Sequence, residues 1–152
     1  MKEEVLLGKA IAIAAEAFKE TLDKGGHPYI LHCLRIMNGV EGYTRKTIAI
    51  LHDVLEDCKE WTPKRLYEEG FSDTIVNAVV RLTHDKSKQS YDDYIKVISL
   101  DEDCTEVKKK DLEDNSNITR LKGIGKKDFD RMEKYHKAFL YLNRIEFKPV
   151  EA

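Results

Sequence analysis

Cysteine, net charge and long apolar runs are all scarce in this chain, and each scarcity excludes a class of protein. Three cysteines, an odd number with no C-x-x-C spacing, indicate neither a disulfide framework nor a zinc-thiolate site. The formal net charge of −2 argues against general nucleic-acid binding. The amino-terminal apolar run contains Lys9 and soon meets Glu16, so it fits neither a signal peptide nor a membrane span. We therefore expect a cytoplasmic protein with free thiols.

The composition is typical of one globular, helix-rich domain. The chain has 152 residues, of which 41% are hydrophobic and 36% charged. Apolar residues recur at spacings of three and four, and no stretch of any length alternates in the manner of a β-strand. The sequence therefore predicts an all-α, single-domain bundle of about seven helices over residues 1–146, followed by a C-terminal tail at 147–152.

Capping and breaking residues mark where these helices begin and end. Ser and Thr favour the N-cap because their side-chain oxygen accepts a hydrogen bond from a free backbone amide of the first turn. We expect N-caps at Thr44, Thr62, Ser72 and Ser90. We expect the first helix to span about residues 3–22 and the last two helices to span about residues 103–121 and 126–143. The polar stretch at 84–89 is the most loop-like part of the chain.

An adjacent histidine and aspartate, followed by two acids, form the strongest chemical signal. In a helix, His52 and Glu56 would share one face, as would Asp53 and Asp57. Burying such groups without partners costs roughly 2–7 kcal/mol even for a neutral polar group. A divalent cation would remove that cost, and imidazole and carboxylate suit manganese, iron, zinc or nickel. The alternative is a solvated acidic helix end with a chance histidine.

Two further residues could complete a metal site. His32 lies in an otherwise apolar helix, although a lone histidine there is often a hydrogen-bonded core residue. Asp111 would share a helix face with Asn115, or would simply belong to the charged run 108–111. The second His-Asp pair, at 84–85, has no acidic residues one turn later, so we expect it to take no part.

Three stretches resemble one known family in the order in which they occur. Residues 26–32 look like the motif G-x-P-Y-I-x-H, residues 51–57 look like L-H-D-V-x-E-D, and residues 107–115 resemble V-K-x-x-D-x-x-x-N. These are motifs of the HD-domain metal phosphohydrolases. Within that family they resemble the RelA/SpoT-type hydrolases, including stand-alone small members, that remove pyrophosphate from the alarmone ppGpp.

The resemblance implies a role for each of the central residues. It implies that one divalent metal, usually manganese, is held by His32, His52, Asp53 and Asp111. It places Glu56 and Asp57 beside the attacking water, where neighbouring carboxyls should have separated pKa values so that one can act as a base. It also implies that Asn115 and Tyr135 face a nucleotide.

Basic side chains are also needed to hold a pyrophosphate. Lys24 lies just before the His32 helix and is the expected substrate contact. Three more basic residues flank the polar loop, which could close over a pocket, but we expect them to be solvated surface and not ligand contacts: Arg81, Lys86 and Lys88.

Two positions depart from the family pattern. Asp23 stands where the alarmone hydrolases carry an arginine that stacks on guanine, so it could hydrogen-bond a base or face water. Asp114 stands where many relatives carry histidine. We expect a nucleotide pyrophosphohydrolase that removes the 3′-diphosphate of ppGpp or a related nucleotide. The alternatives are an HD phosphatase for another nucleotide, of the NADPH or nucleoside monophosphate type, and a catalytically silent nucleotide-binding domain.

Overall fold

The structure, a computed structural model, describes residues 1–151 and is all-α, as the sequence predicts. These residues form nine α-helices rather than about seven, and one short 3₁₀-helix at Ile118–Arg120. The α-helices are α1 (Glu3–Ala17), α2 (Ile30–Asn38), α3 (Tyr43–Leu51), α4 (Val54–Asp57), α5 (Pro63–Glu68), α6 (Asp73–Leu82), α7 (Tyr91–Ile98), α8 (Glu102–Asn115) and α9 (Lys126–Leu142). The β pairing in this range is an isolated bridge between Leu22 and Pro28. None of the helices described is long and apolar enough to cross a membrane.

Helix α3 lies at the centre and packs against α1, α2, α6 and α8. Its last four residues, Ile48 to Leu51, are fully buried, as expected for a helix segment that is apolar on every side. The three larger side chains among them, Ile48, Ile50 and Leu51, each contribute roughly 1.5–3 kcal/mol through burial. Cys33 and Cys104 join this core, and together with Cys58 they are free thiols. Because α3 ends inside the core, His52, which follows Leu51, lies in the protein interior.

Three of the four predicted N-caps are confirmed. The side-chain oxygens of Thr62, Ser72 and Ser90 each accept a hydrogen bond from the backbone amide three residues later. The prediction for Thr44 is wrong, because α3 begins two residues earlier, at Tyr43, and Gly42, with φ of 84°, occupies its N-cap. The hydroxyl of Thr44 donates instead to Glu3 of α1.

Two of the predicted helix ends are also wrong. Helix α1 ends at Ala17 instead of Leu22, because the chain turns at the buried Phe18 and the amide of Tyr29 bonds the carbonyl of Thr21. Helix α8 ends at Asn115 instead of Leu121, and the side chain of Asn117 caps the 3₁₀-helix that follows. Both corrections shorten a helix where another group bonds the backbone: a distant backbone amide after α1 and the Asn117 side chain after α8.

The helix expected to begin after Thr44 and to carry His52 and Asp53 is interrupted after Leu51. An unbroken helix would offer the carbonyl of Ala49 to the amide of Asp53. Here that carbonyl accepts from Nδ1 of His52 at 2.6 Å and from its backbone amide at 3.4 Å. Because the imidazole competes for the backbone carbonyl, the helix resumes only at Val54.

The chain after α9 carries no helix as far as residue 151. Phe147 nevertheless lies beside α9, with the ammonium of Lys137 4.9 Å from its ring centroid. The division into a domain at 1–146 and a tail at 147–152 stays a prediction, and Ala152 lies outside the described residues.

Candidate metal centre

Four side chains from α2, the α3–α4 turn and α8 converge at one point. They are the predicted set His32, His52, Asp53 and Asp111, and one ligand atom from each lies within 4.8 Å of the others. The shortest separations, both 3.0 Å, join Nε2 of His32 to Asp111 and Nε2 of His52 to Asp53. The side chains of all but Asp53 are at most 5% exposed, and that of Asp53 is 14% exposed. The structure thus brings together a group that could bind a metal ion.

Both Nε2 atoms are buried without a hydrogen-bond partner among residues 1–151. The nearby carboxylate oxygens lie at contact distance but outside hydrogen-bond geometry. The other ring nitrogens are occupied, since Nδ1 of His52 donates to the carbonyl of Ala49 and Nδ1 of His32 contacts a carboxylate oxygen of Asp114 at 2.6 Å. A carbonyl can only accept, so the neutral His52 ring carries its hydrogen on Nδ1 and its lone pair on Nε2. Unpaired buried nitrogens are rare, and a cation between them would satisfy both.

Charge interactions set the protonation of this cluster. Burial opposes charge on His32, but contacts with Asp111, Asp114 and Asp53 raise its pKa to about 11. Burial likewise opposes charge on His52, but Asp53 and Asp111 raise its pKa to about 10. Although burial works against ionisation, the imidazoles hold the pKa of Asp53 below its usual range. Without a cation, two protons therefore balance the two carboxylates.

Neighbouring donors fix the two carboxylates in place. The hydroxyl of Tyr29 donates to Asp53 at 2.6 Å, and the ammonium of Lys108 donates to Asp111 at 2.7 Å. Asn115, expected to face a nucleotide, donates to the second oxygen of Asp111 at 2.9 Å. Hydrogen bonds of this kind, from residues that do not touch the metal, orient the metal ligands. Sequence reasoning missed Tyr29 and Lys108 in these roles, although one lies within the first motif and the other one helical turn before Asp111.

A two-part cleft opens above the cluster. The metal-side lobe has a volume of about 500 Å³ and is lined by Asp53, Asp111 and Lys108, among others. The outer lobe has a volume of about 630 Å³ and contains the predicted Lys24. The two lobes share four lining residues, Tyr29, Glu56, Asn115 and Tyr135, which we call the waist. Of the residues predicted to contact substrate, all three therefore line this cleft.

The two predicted catalytic acids occupy different positions in the cleft. Glu56 lines both lobes, and its carboxylate accepts a hydrogen bond of 2.8 Å from the backbone amide of His84. Asp57 lines the outer lobe only. Burial, with the charges of Asp53 and Glu56, raises the pKa of Asp57 to about 6. Asp57 can therefore exchange a proton near neutral pH.

Three of the six cationic side chains that line the cleft have no acidic partner among residues 1–151. Lys24, Lys86 and Lys134 form no ion pair within the described part of the chain. Partial burial, then Lys86 and Lys108, lower the pKa of Lys134. Partial burial, then Arg131, lower the pKa of Lys24. These cations repel one another, so a bound anion would stabilise them.

The basic residues proposed from sequence divide into two groups. Lys24 and Lys86 line the cleft. Arg81 and Lys88 line neither lobe, since Arg81 is paired with Asp101 at 3.0 Å and Lys88 lies on the surface beside Asp85. Sequence reasoning missed cations that the carboxyl-terminal half contributes: Lys108, Arg120, Arg131 and Lys134. The position of Arg131 could have been predicted, since it lies one helical turn before Tyr135, which is expected to face the nucleotide.

Asp23 shapes its own loop at the rim of the outer lobe. One carboxylate oxygen accepts hydrogen bonds of 2.9 Å from the amides of Gly25 and His27. Burial raises the pKa of Asp23, but these hydrogen bonds outweigh it and lower the pKa. The carboxylate is thus ionised, so residue 23 offers no cation that could stack on a base.

The second His-Asp pair lies outside the metal cluster, as expected. The ring of His84 stacks on Tyr94 with centroids 4.5 Å apart, and its Nε2 donates to the carbonyl of Gln89. His84 nevertheless lines the metal-side lobe. It therefore supports the wall of the cleft instead of binding a cation.

The fold and the site together define an all-α protein with a buried two-histidine, two-aspartate cluster that could hold a metal ion. No protein-family model matches the chain, and no curated protein matches it. The kinship inferred from the three motifs is therefore a proposal, supported by where those motifs lie.

Proposed function

We propose that this protein is a metal-dependent phosphohydrolase of the HD-domain kind, which removes the 3′-diphosphate from ppGpp or a related nucleotide. One observation carries the proposal: two unpaired imidazole nitrogens and two carboxylates meet beneath a cleft that is lined by Asp53 and Asp111 and by two lysines without an ion pair in the described residues, Lys86 and Lys134. The residues of all three motifs lie at this place.

The donor set suits a first-row divalent cation. His32, His52, Asp53 and Asp111 would hold it, and manganese is the ion that the family resemblance favours. When bound, such a cation supplies a nucleophilic water near neutral pH and offsets charge on phosphoryl oxygens. Tyr29 and Lys108 hold the two carboxylates in the orientation that binding requires.

The acidic pair handles water and protons. Asp57 has a pKa near 6, so at neutral pH it is mostly ionised and can accept a proton from the attacking water. Glu56 lies at the waist and is held by the amide of His84, which fixes its carboxylate toward both lobes. Glu56 orients the water and Asp57 takes its proton.

The distribution of cations favours a substrate with two separated anionic groups. Lys86 and Lys134, which form no ion pair within residues 1–151, line the metal-side lobe together with Lys108, which is paired with Asp111. Lys24, which forms no ion pair in that range either, lines the outer lobe beyond the waist together with Arg120 and Arg131, which are paired with Asp114 and Asp128. A nucleotide phosphorylated at two positions can engage both sets, whereas a nucleoside monophosphate can engage only one. This arrangement favours a bisphosphorylated nucleotide such as ppGpp.

Asp23 favours one further candidate, an HD phosphatase for another nucleotide with several phosphates, of the NADPH type. The position that carries a base-stacking arginine in the alarmone hydrolases is here an ionised carboxylate bound to its own loop. Recognition of guanine by that stacking contact is therefore lost, while the metal cluster and the two cationic sets are retained.

The test is pyrophosphate release from ppGpp by purified protein with added Mn²⁺, alongside a measurement of bound metal. We expect release that disappears with EDTA and in the Asp53→Ala variant. Asp92→Ala is the matched control, because Asp92 is exposed on α7 and lines neither lobe. Metal-loaded protein that releases no pyrophosphate would exclude ppGpp, and turnover of another phosphorylated nucleotide would then select the second candidate. Metal binding without any turnover would indicate a silent nucleotide-binding domain.

A further inference from the structure

We propose that Asp114 is a positioning residue, which orients His32 for metal binding and is itself held by two arginines. The inference rests on the proposed metal centre but concerns a residue that does not touch the cation. It starts from a short polar contact at the cluster, 2.6 Å between Nδ1 of His32 and a carboxylate oxygen of Asp114.

Both arginines bind the same carboxylate. Arg35 grips it with two donors, Nε at 2.7 Å to one oxygen and Nη2 at 3.0 Å to the other. Arg120 adds a contact of 3.2 Å to the carboxylate and one of 2.6 Å to the backbone carbonyl of Asp114. A bidentate guanidinium fixes the plane of a carboxylate, so Asp114 has little freedom to rotate.

The helical spacing makes this arrangement rigid. His32 and Arg35 lie one turn apart on α2, and Asp111 and Asp114 lie one turn apart on α8. The two helices therefore approach each other closely at adjacent turns: Nε2 of His32 lies 3.0 Å from Asp111 without a hydrogen bond, and Arg35 forms an ion pair with Asp114 at 2.7 Å. Asp114 also contacts His32, so it bonds to both residues of α2.

The consequence for chemistry concerns the tautomer of His32. An ionised carboxylate can only accept, so it keeps the hydrogen of the neutral ring on Nδ1 and leaves the lone pair on Nε2, which faces the cluster. Carboxylates in this relation to a ligating histidine also raise its basicity, and their loss typically weakens metal binding by roughly 10–100-fold. His52 reaches the same tautomer through the carbonyl of Ala49. Each histidine therefore has its own orienting acceptor.

The decisive experiment is the metal affinity of Asp114→Asn, measured by competition between Zn²⁺ and a chelator. An amide of the same size can donate to Nδ1 and so favour the wrong tautomer. We expect affinity to fall roughly 10–100-fold and the visible spectrum of bound Co²⁺ to change. The readout needs no turnover, so it is independent of whether ppGpp is the substrate.

Asp103→Asn is the matched control. Asp103 also accepts from an arginine, Nε of Arg45 at 2.9 Å, but touches no candidate ligand. This variant should lose a comparable ion pair and keep the metal affinity of the parent protein. Equal affinities in Asp114→Asn and Asp103→Asn would overturn the inference, whereas a parent protein that binds no metal would overturn the metal centre itself.

A measurement on the parent protein covers the case in which Asp114→Asn does not fold. In Zn²⁺-loaded protein with ¹⁵N-labelled histidine, we expect the His32 signals to show a metal on Nε2 and a slowly exchanging proton on Nδ1. A metal on Nδ1 would contradict the role given to Asp114.

Discussion

The two imidazoles at the cluster keep their protons until a cation displaces them. With pKa values of about 11 for His32 and about 10 for His52, both rings are charged at neutral pH. A cation must release these protons, so its affinity should rise with pH by up to about 100-fold per unit. We expect this rise between pH 6 and 8 in Zn²⁺ titrations, with proton release in weakly buffered solution. An affinity that does not change with pH would contradict it.

Asp57 should set the acid limb of the pH–rate profile. Because its pKa is raised to about 6, it is protonated below that pH and cannot accept a proton. Activity should therefore fall as the pH drops through about 6. The Asp57→Asn variant should lose roughly 100-fold or more in kcat and should lose this limb. The control is Asp92→Asn, and an unchanged limb in Asp57→Asn would assign it to another group.

At the scale of helices, local sequence patterns predict where a helix begins better than where it ends. Thr62, Ser72 and Ser90 cap helices as expected because an N-cap needs only one side chain and an amide three residues on. The interruption after Leu51 was not predictable in this way, because it depends on His52 turning back to the carbonyl of Ala49. That ring is held there by partners from α2 and α8, which are distant in sequence.

The loop between α1 and α2 must pass very close to the segment after α8. A Cβ at Gly25 would lie 2.5 Å from the carbonyl oxygen of Arg120, so an alanine cannot fit without moving one segment. We expect Gly25→Ala to lower the free energy of unfolding by roughly 1–3 kcal/mol in denaturant titrations.

Gly8→Ala is the matched control for this substitution. Gly8 lies within α1, and nothing lies within 4 Å of an added Cβ. Alanine there should raise the free energy of unfolding by roughly 0.5–1 kcal/mol, because it restricts the unfolded chain and favours helix. Equal effects of the two substitutions would show that the close approach at Gly25 does not limit stability.

Across the whole molecule, the sequence predicts the metal cluster more completely than the cleft above it. Each of the four candidate ligands lies in a short motif that is visible without a structure. The cleft depends on how α8 and α9 pack against the α1–α2 loop, which no local pattern specifies. Arg120 and Lys134 therefore looked like ordinary surface charges, and Asp114 looked only like a departure from the family pattern.

Although the net charge of the chain is −2, three lysines at the cleft have no acidic partner in the described part of the chain, and this yields a prediction about substrate binding. Lys134 lies over the ring of Tyr91 at 4.4 Å, beside other cations and without an acidic partner in residues 1–151. Replacing it by alanine should raise KM for ppGpp roughly ten-fold, because a charged hydrogen bond to phosphate contributes about 1.5–3 kcal/mol. Lys127, exposed on the same helix and outside both lobes, is the control and should leave KM unchanged as alanine. Added salt should raise KM of the parent protein more than that of Lys134→Ala, since part of the attraction is screened. If both variants matched the parent in KM and in salt dependence, the phosphates would have to bind elsewhere.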